Sequence, residues 1–123
     1  MPSANAILPS SVRLVTTDGT ATVAVTIPTQ SNHAYLVKAH IVATDGSTSA
    51  AYIRAAAFEN NAGTLTQVGT TTSIGTYEDI AAPMDVSFAL SGTEIRLLVT
   101  GDPGRTIVWA CDIDTHQSVA VGS

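Results

Sequence analysis

Cys111 is the single cysteine among 123 residues, so no disulfide can close within the chain and the fold must rest on its apolar core. Positive charge is equally scarce. Arg13, Lys38, Arg54, Arg96 and Arg105 are the five cations, set against ten Asp and Glu for a formal net charge of −5. Nucleic acid and anionic membranes are held by clustered cations, and neither is an expected partner. Charged residues of both signs make up 12%, half the roughly 25% usual for a soluble domain. Apolar residues reach 45%, which excludes disorder of the weakly hydrophobic, highly charged kind. No apolar run approaches the ~20 residues that cross a bilayer as a helix. The start, Met1 to Pro9, has neither the basic n-region nor the apolar stretch of a signal peptide, and no Asn-x-Ser/Thr sequon occurs. The expectation is an unglycosylated chain made and kept in a cytosol.

What the sequence does have is alternation. From Val12 onward, short runs with a two-residue apolar period are separated by turn residues, and no stretch sustains a 3.6-residue period. Val12 to Thr17 and Thr20 to Ile27, joined by Asp18-Gly19, read as a hairpin. His33 to Thr44 puts Tyr35, Val37, Ala39, Ile41 and Ala43 on one face and Leu36, Lys38, His40 and Val42 on the other. Ala50 to Glu59 follows the turn Asp45 to Thr48; its small residues suggest close backbone or partner packing on that face, and Asn60 to Gly63 is its closing loop. Thr64 to Thr72 reads as an exposed or edge strand and Ser73 to Pro83 mostly as loop. Asp85 to Leu90 and Thr93 to Thr100 form a hairpin about Ser91-Gly92. Gly101 to Gly104 is a loop, and Arg105 to His116 is the last strand, with Ile107, Trp109, Cys111 and Ile113 on one face. Seven or eight strands at such spacing predict an all-β fold, an antiparallel β-sandwich of jelly-roll-like type with little or no helix, with a barrel as the main competing architecture. The predicted boundaries are an N-terminal arm over residues 1–11, a sandwich over 12–116 and a C-terminal tail over 117–123.

Residues with chemistry are few. Asp112, Asp114 and His116 alternate on one strand face and are the best candidate for a metal site or a small hydrolase, yet a straight strand spaces them ~7 Å apart. A solvated strand end is the plainer reading. Ser91 lacks the glycines of a nucleophile elbow, and Gly101 to Thr106 lacks the lysine and following helix of a phosphate loop, so it reads as a turn that lets Arg105 cover one end of the domain. Cys111 shares a face with apolar neighbours and reads as a buried thiol. Phe88 and Trp109 are assigned to the core, while Tyr52, Tyr77 and Phe58 are candidate surface aromatics. No cofactor is implied.

The segment from about Ala50 to His116 resembles a β-rich module of bacteriophage structural proteins, found in capsid decoration (cement) proteins and in the distal parts of tail fibres. The resemblance is carried by Ala51-Tyr-Ile-Arg-Ala-Ala-Ala-Phe58, Val68-Gly-Thr-Thr-Thr72, Val86-Ser-Phe-Ala-Leu-Ser-Gly92, Ile95-Arg-Leu-Leu-Val-Thr-Gly101 and Ile107-Val-Trp-Ala110. It implies a virion protein without enzymatic activity. Because one small domain follows Met1 after a short apolar arm, the reading taken first is a cement protein. It would be a homotrimer bound to the major capsid protein across subunit boundaries, with Ile7 and Leu8 reaching a neighbour. The alternative is a tail-fibre or receptor-binding tip whose loops at Asn60 to Gly63 and Gly101 to Arg105 recognise a bacterial surface glycan.

Overall fold

The computed structural model describes residues 10–78 and 84–119. These form eight strands: β1 (Ser10–Thr16), β2 (Ala21–Pro28), β3 (His33–Thr44), β4 (Ser49–Asn61), β5 (Thr64–Glu78), β6 (Asp85–Ser91), β7 (Glu94–Thr100) and β8 (Ile107–Val119). All pairings are antiparallel, in a five-stranded sheet of order β1-β8-β3-β4-β5 and a three-stranded sheet of order β2-β7-β6. The protein is an all-β sandwich with no helix among the described residues. β1 begins at Ser10 and β8 runs to Val119, so strand structure extends past both ends of the 12–116 span. The arm residues Ile7 and Leu8 lie outside the described residues.

Alternation explains the layers. The inner face of the large sheet carries Val37, Ala39 and Ile41 from β3, Tyr52 and Phe58 from β4, and Ile107, Trp109, Cys111 and Ile113 from β8. The small sheet answers with Val25, Val86, Ile95, Leu97 and Val99, all buried. Trp109 is fully buried and its indole Nε1 donates to Thr16 Oγ1 at 2.9 Å, so the one polar atom of the ring has a partner inside the core. Phe88, half-buried, meets Phe58 edge-on with ring centroids 5.8 Å apart.

Three expectations are corrected. Tyr52 and Phe58 are not surface aromatics: each is 1% exposed, whereas Tyr77 is 63% exposed. Alanines stand on both faces of β4, so its pattern does not say which face turns inward. Next, β1 and β2 form no hairpin, since β1 pairs β8 and β2 pairs β7. Asp18-Gly19 carries the chain from one sheet to the other, with Asp18 Oδ1 accepting from the Thr20 N–H at 2.9 Å. Finally, Ser73 to Glu78 continues β5 instead of forming a loop. The register of β5 against β4 shifts between Ile53 and Arg54 and again between Ala55 and Ala57, so extra residues interrupt its alternation.

Candidate functional site

The outer face of the large sheet presents the alternate set of side chains, and the register across it is explicit. One row runs Ser118, Ala34, Glu59, Thr66 and the next His116, Leu36, Ala57, Val68, over β8, β3, β4 and β5. Alanines at 34 and 57 are short, while Leu36 and Val68, each 50% exposed, stand above them. The result is a hollow of about 530 Å³ lined by Ala34, Leu36, Ala57, Glu59, Val68 and His116 among others. Beside it lies a second hollow of about 410 Å³, with Asn32, His33, Asn61 and Ser118 in its wall. The two share Ala34, Glu59 and Ser118 and so form one groove, apolar over the sheet and polar at the loop end.

The polar end is held rigidly. Asn60, 2% exposed, donates from Nδ2 to Thr29 Oγ1 at 3.0 Å and accepts from the Gly63 N–H at Oδ1 at 2.9 Å. Its backbone carbonyl accepts from the Asn32 N–H at 2.6 Å, and Asn32 Oδ1 accepts from the Ala62 N–H at 3.3 Å. One buried amide therefore ties the loop after β2 to the β4–β5 turn. Thr29 in turn donates through both N–H and Oγ1 to the Thr93 carbonyl of the small sheet, and the Gln30 N–H donates to the Tyr35 hydroxyl at 2.8 Å. Asn32 and Ala62 both hold positive φ, 63° and 53°, at this rim. These bonds fix the backbone at the rim of the groove, and a wall set in place before binding lowers the ordering cost of taking up a ligand.

Asp112, Asp114 and His116 do share the outer face of β8, but they are not brought together around one point. Across β3, His40 faces Asp112 and Lys38 faces Asp114, and the Ser11 hydroxyl donates to Asp112 Oδ1 at 2.5 Å. Among the described residues no group of three His, Cys, Asp or Glu is placed to hold a metal ion. His116 instead lines the groove. The two loops expected to bind together are separated as well. Asn60 lies beside His33 at one end of β3, while the Gly101 to Arg105 loop packs at the other, about 40 Å away at strand rise. There Arg105 bonds to Thr48 Oγ1 at 2.9 Å, Asp102 Oδ2 at 3.0 Å and Asp45 Oδ2 at 3.6 Å, closing that end of the sandwich. Asp45 is held below the usual carboxylate range by the backbone N–H groups of Thr48 and Ser47.

Sequence reading found the Asn60 to Gly63 element of the groove and missed Asn32, Ala34 and Glu59. Their alternation was visible, but their convergence depends on the pairing register of β3 with β4 and β8.

No family model matches the chain, and no curated protein does. Among solved structures, the tailspike protein of Acinetobacter baumannii phage AM24 superposes on 95% of this chain with a TM-score of 0.59 and 10% identity. The chain spans 27% of that protein's length. The tailspike protein gp49 from Acinetobacter baumannii bacteriophage Fri1, a capsular polysaccharide depolymerase, matches 94% of this chain and 18% of its own length, with a TM-score of 0.44 and 11% identity. The chain thus shares its fold with part of a phage tailspike. The expectation of a protein without enzymatic activity does not stand as a finding: gp49, of whose length the chain covers 18%, is itself described as a capsular polysaccharide depolymerase.

Proposed function

We propose that this chain is a virion module of the tail-fibre or tailspike type, and that it recognises a bacterial surface glycan through the groove centred on Ala34. The observation that carries the reading is the composition of that groove. A sugar ring offers an apolar C–H face and a rim of hydroxyls. The Ala34, Leu36, Ala57 and Val68 surface suits the first, and Asn32, Asn61, Glu59 and Ser118 supply amide, carboxylate and hydroxyl partners for the second. The shared fold with the AM24 tailspike supports the same setting. Capsid cementing, with the major capsid protein as partner and a homotrimer as the assembly, rests on the arm with Ile7 and Leu8 and stands second.

The test is binding of the purified chain to a panel of immobilised bacterial capsular and O-chain polysaccharides, beside an Ala34→Phe variant. Ala34 is exposed, so the ring fills the groove without entering the core. Saturable binding by the parent chain, weakened at least tenfold in Ala34→Phe at unchanged thermal stability, is expected, each tenfold step being about 1.4 kcal/mol. Refusal of every glycan, or equal binding by the variant, overturns the reading.

A further inference from the structure

Glu59 occupies a distinctive place in the groove. Among the described residues it is the one carboxylate in the wall of either hollow, it belongs to both, and it is exposed on the outer face of β4 between Ala34 and Thr66. Among the described residues no lysine or arginine lines either hollow. On β3, the cation on the same face is Lys38, four residues from Ala34, about 13 Å away at strand rise, and it stands opposite Asp114. Among the described residues Glu59 forms no ion pair, so its charge is neither neutralised nor turned away from the groove. The whole chain adds to this field with its net charge of −5.

We infer that the groove selects uncharged glycans, those bearing hydroxyl or N-acetyl donors, against uronate-containing ones, and that Glu59 is the residue that imposes the choice. The inference rests on the glycan reading proposed above and names the ligand class for the same site. An ionised carboxylate only accepts hydrogen bonds. Facing a neutral sugar it can take two hydroxyl or amide protons in charge-assisted bonds, which are the stronger kind. Facing a uronate carboxylate it offers only repulsion, and no guanidinium or ammonium stands in the groove to offset it. Two histidines, His33 and His116, also stand in the walls.

The experiment uses the intact chain and its Glu59→Gln and Glu59→Lys variants at pH 7.5 and low salt. Each is titrated on an array holding neutral bacterial polysaccharides, uronate-bearing ones, and carboxyl-reduced forms of the same uronate polymers. The parent chain is expected to bind neutral and carboxyl-reduced polymers and to bind the unreduced uronates at least tenfold more weakly, the factor that about 1.4 kcal/mol of repulsion produces. Glu59→Gln narrows that gap and Glu59→Lys reverses it. If glycans bind but uronates bind equally well, or if Glu59→Lys leaves the pattern unchanged, the inference is overturned while the glycan reading stands. If parent and variants refuse every polymer, the glycan reading itself falls and takes the inference with it. Thermal stability measured alongside separates both results from misfolding, because Glu59 lies on the solvent face of its strand.

Discussion

Cys111 lies on the inner face of β8 between Trp109 and Ile113, 1% exposed. Burial pushes its thiol up to about 11 from an ordinary value of 9.0, and the neighbouring Asp112 carboxylate adds to the effect. The unfolded chain therefore releases this proton at lower pH than the folded one. Between pH 9 and 11 the native state binds more protons, so stability must fall as pH rises through that window and is unaffected below it. Denaturant midpoints measured at pH 8, 9 and 10 should decline for the parent chain and decline less for Cys111→Ala; parallel declines would show that the thiol is not the cause. Burial also raises the Tyr52 hydroxyl, with Glu78 as the second cause, so a further loss above pH 10 is expected in both proteins. A second residue-scale prediction concerns Ala62. It and Gly63 both hold positive φ in a two-residue turn between the paired Asn61 and Thr64. Both central residues then match a type I′ turn, which favours Asn-Gly. Ala62→Asn should stabilise the fold by about 0.5–1 kcal/mol, because asparagine tolerates this conformation better than alanine. An unchanged or lowered melting temperature would contradict the assignment.

At the scale of elements, the sequence is most legible where alternation and a tight turn coincide. β3, β6, β7 and β8 each alternate an apolar face with one that is mostly polar or small, apart from Leu36, Val42, Leu98 and Val108, and the Ser91-Gly92 and Asp45 to Thr48 turns join strands that do pair. Reading fails where the chain leaves one sheet for the other. Asp18-Gly19 has the composition of a hairpin turn, but Thr16 must remain beside Trp109, and that binds β1 to β8 instead. It fails again in β5, whose bulges at Gly69 to Thr71 and near Ile74 destroy the period on which strand recognition depends. The corner left by the first failure is tightly built. A Cβ on Gly101, just after β7, would stand 2.5 Å from Thr16 Oγ1 and 2.8 Å from the Asp18 carbonyl oxygen. The backbone oxygen has little freedom to retreat, and moving Thr16 disturbs the acceptor of the Trp109 indole. Gly101→Ala should therefore cost about 1–3 kcal/mol, the usual range for overpacking, seen as a shifted urea midpoint with changed tryptophan fluorescence. A neutral outcome would mean that the corner can open. The groove obeys the same logic: each contributing strand is legible alone, but the juxtaposition of Ala34 with Glu59 is set by register.

For the whole molecule, the two ends of the sandwich are finished differently, and this bears on where the protein is used. One end is sealed by Arg105, whose guanidinium engages Asp45, Thr48 and Asp102. The other carries the Asn60 network and the open groove. A module that works through the groove end, as proposed above, suits display of that end outward from a particle, as a fibre or spike requires. A cement protein would instead commit a broad face to a lattice, burying on the order of 800 Å² per partner in a standard interface. These arrangements differ in copy number. Quantitative mass spectrometry of purified virions, referenced to the major capsid protein, should find this chain at a few copies per particle, and proteolytic shaving of tails should remove it. Abundance comparable to the shell protein would restore the cement reading and move attention to residues 1–11. In that case deleting residues 1–9 should weaken capsid attachment while leaving the sandwich folded, because the whole of β1, from Ser10, and the Thr16 hydroxyl that accepts from the Trp109 indole are kept.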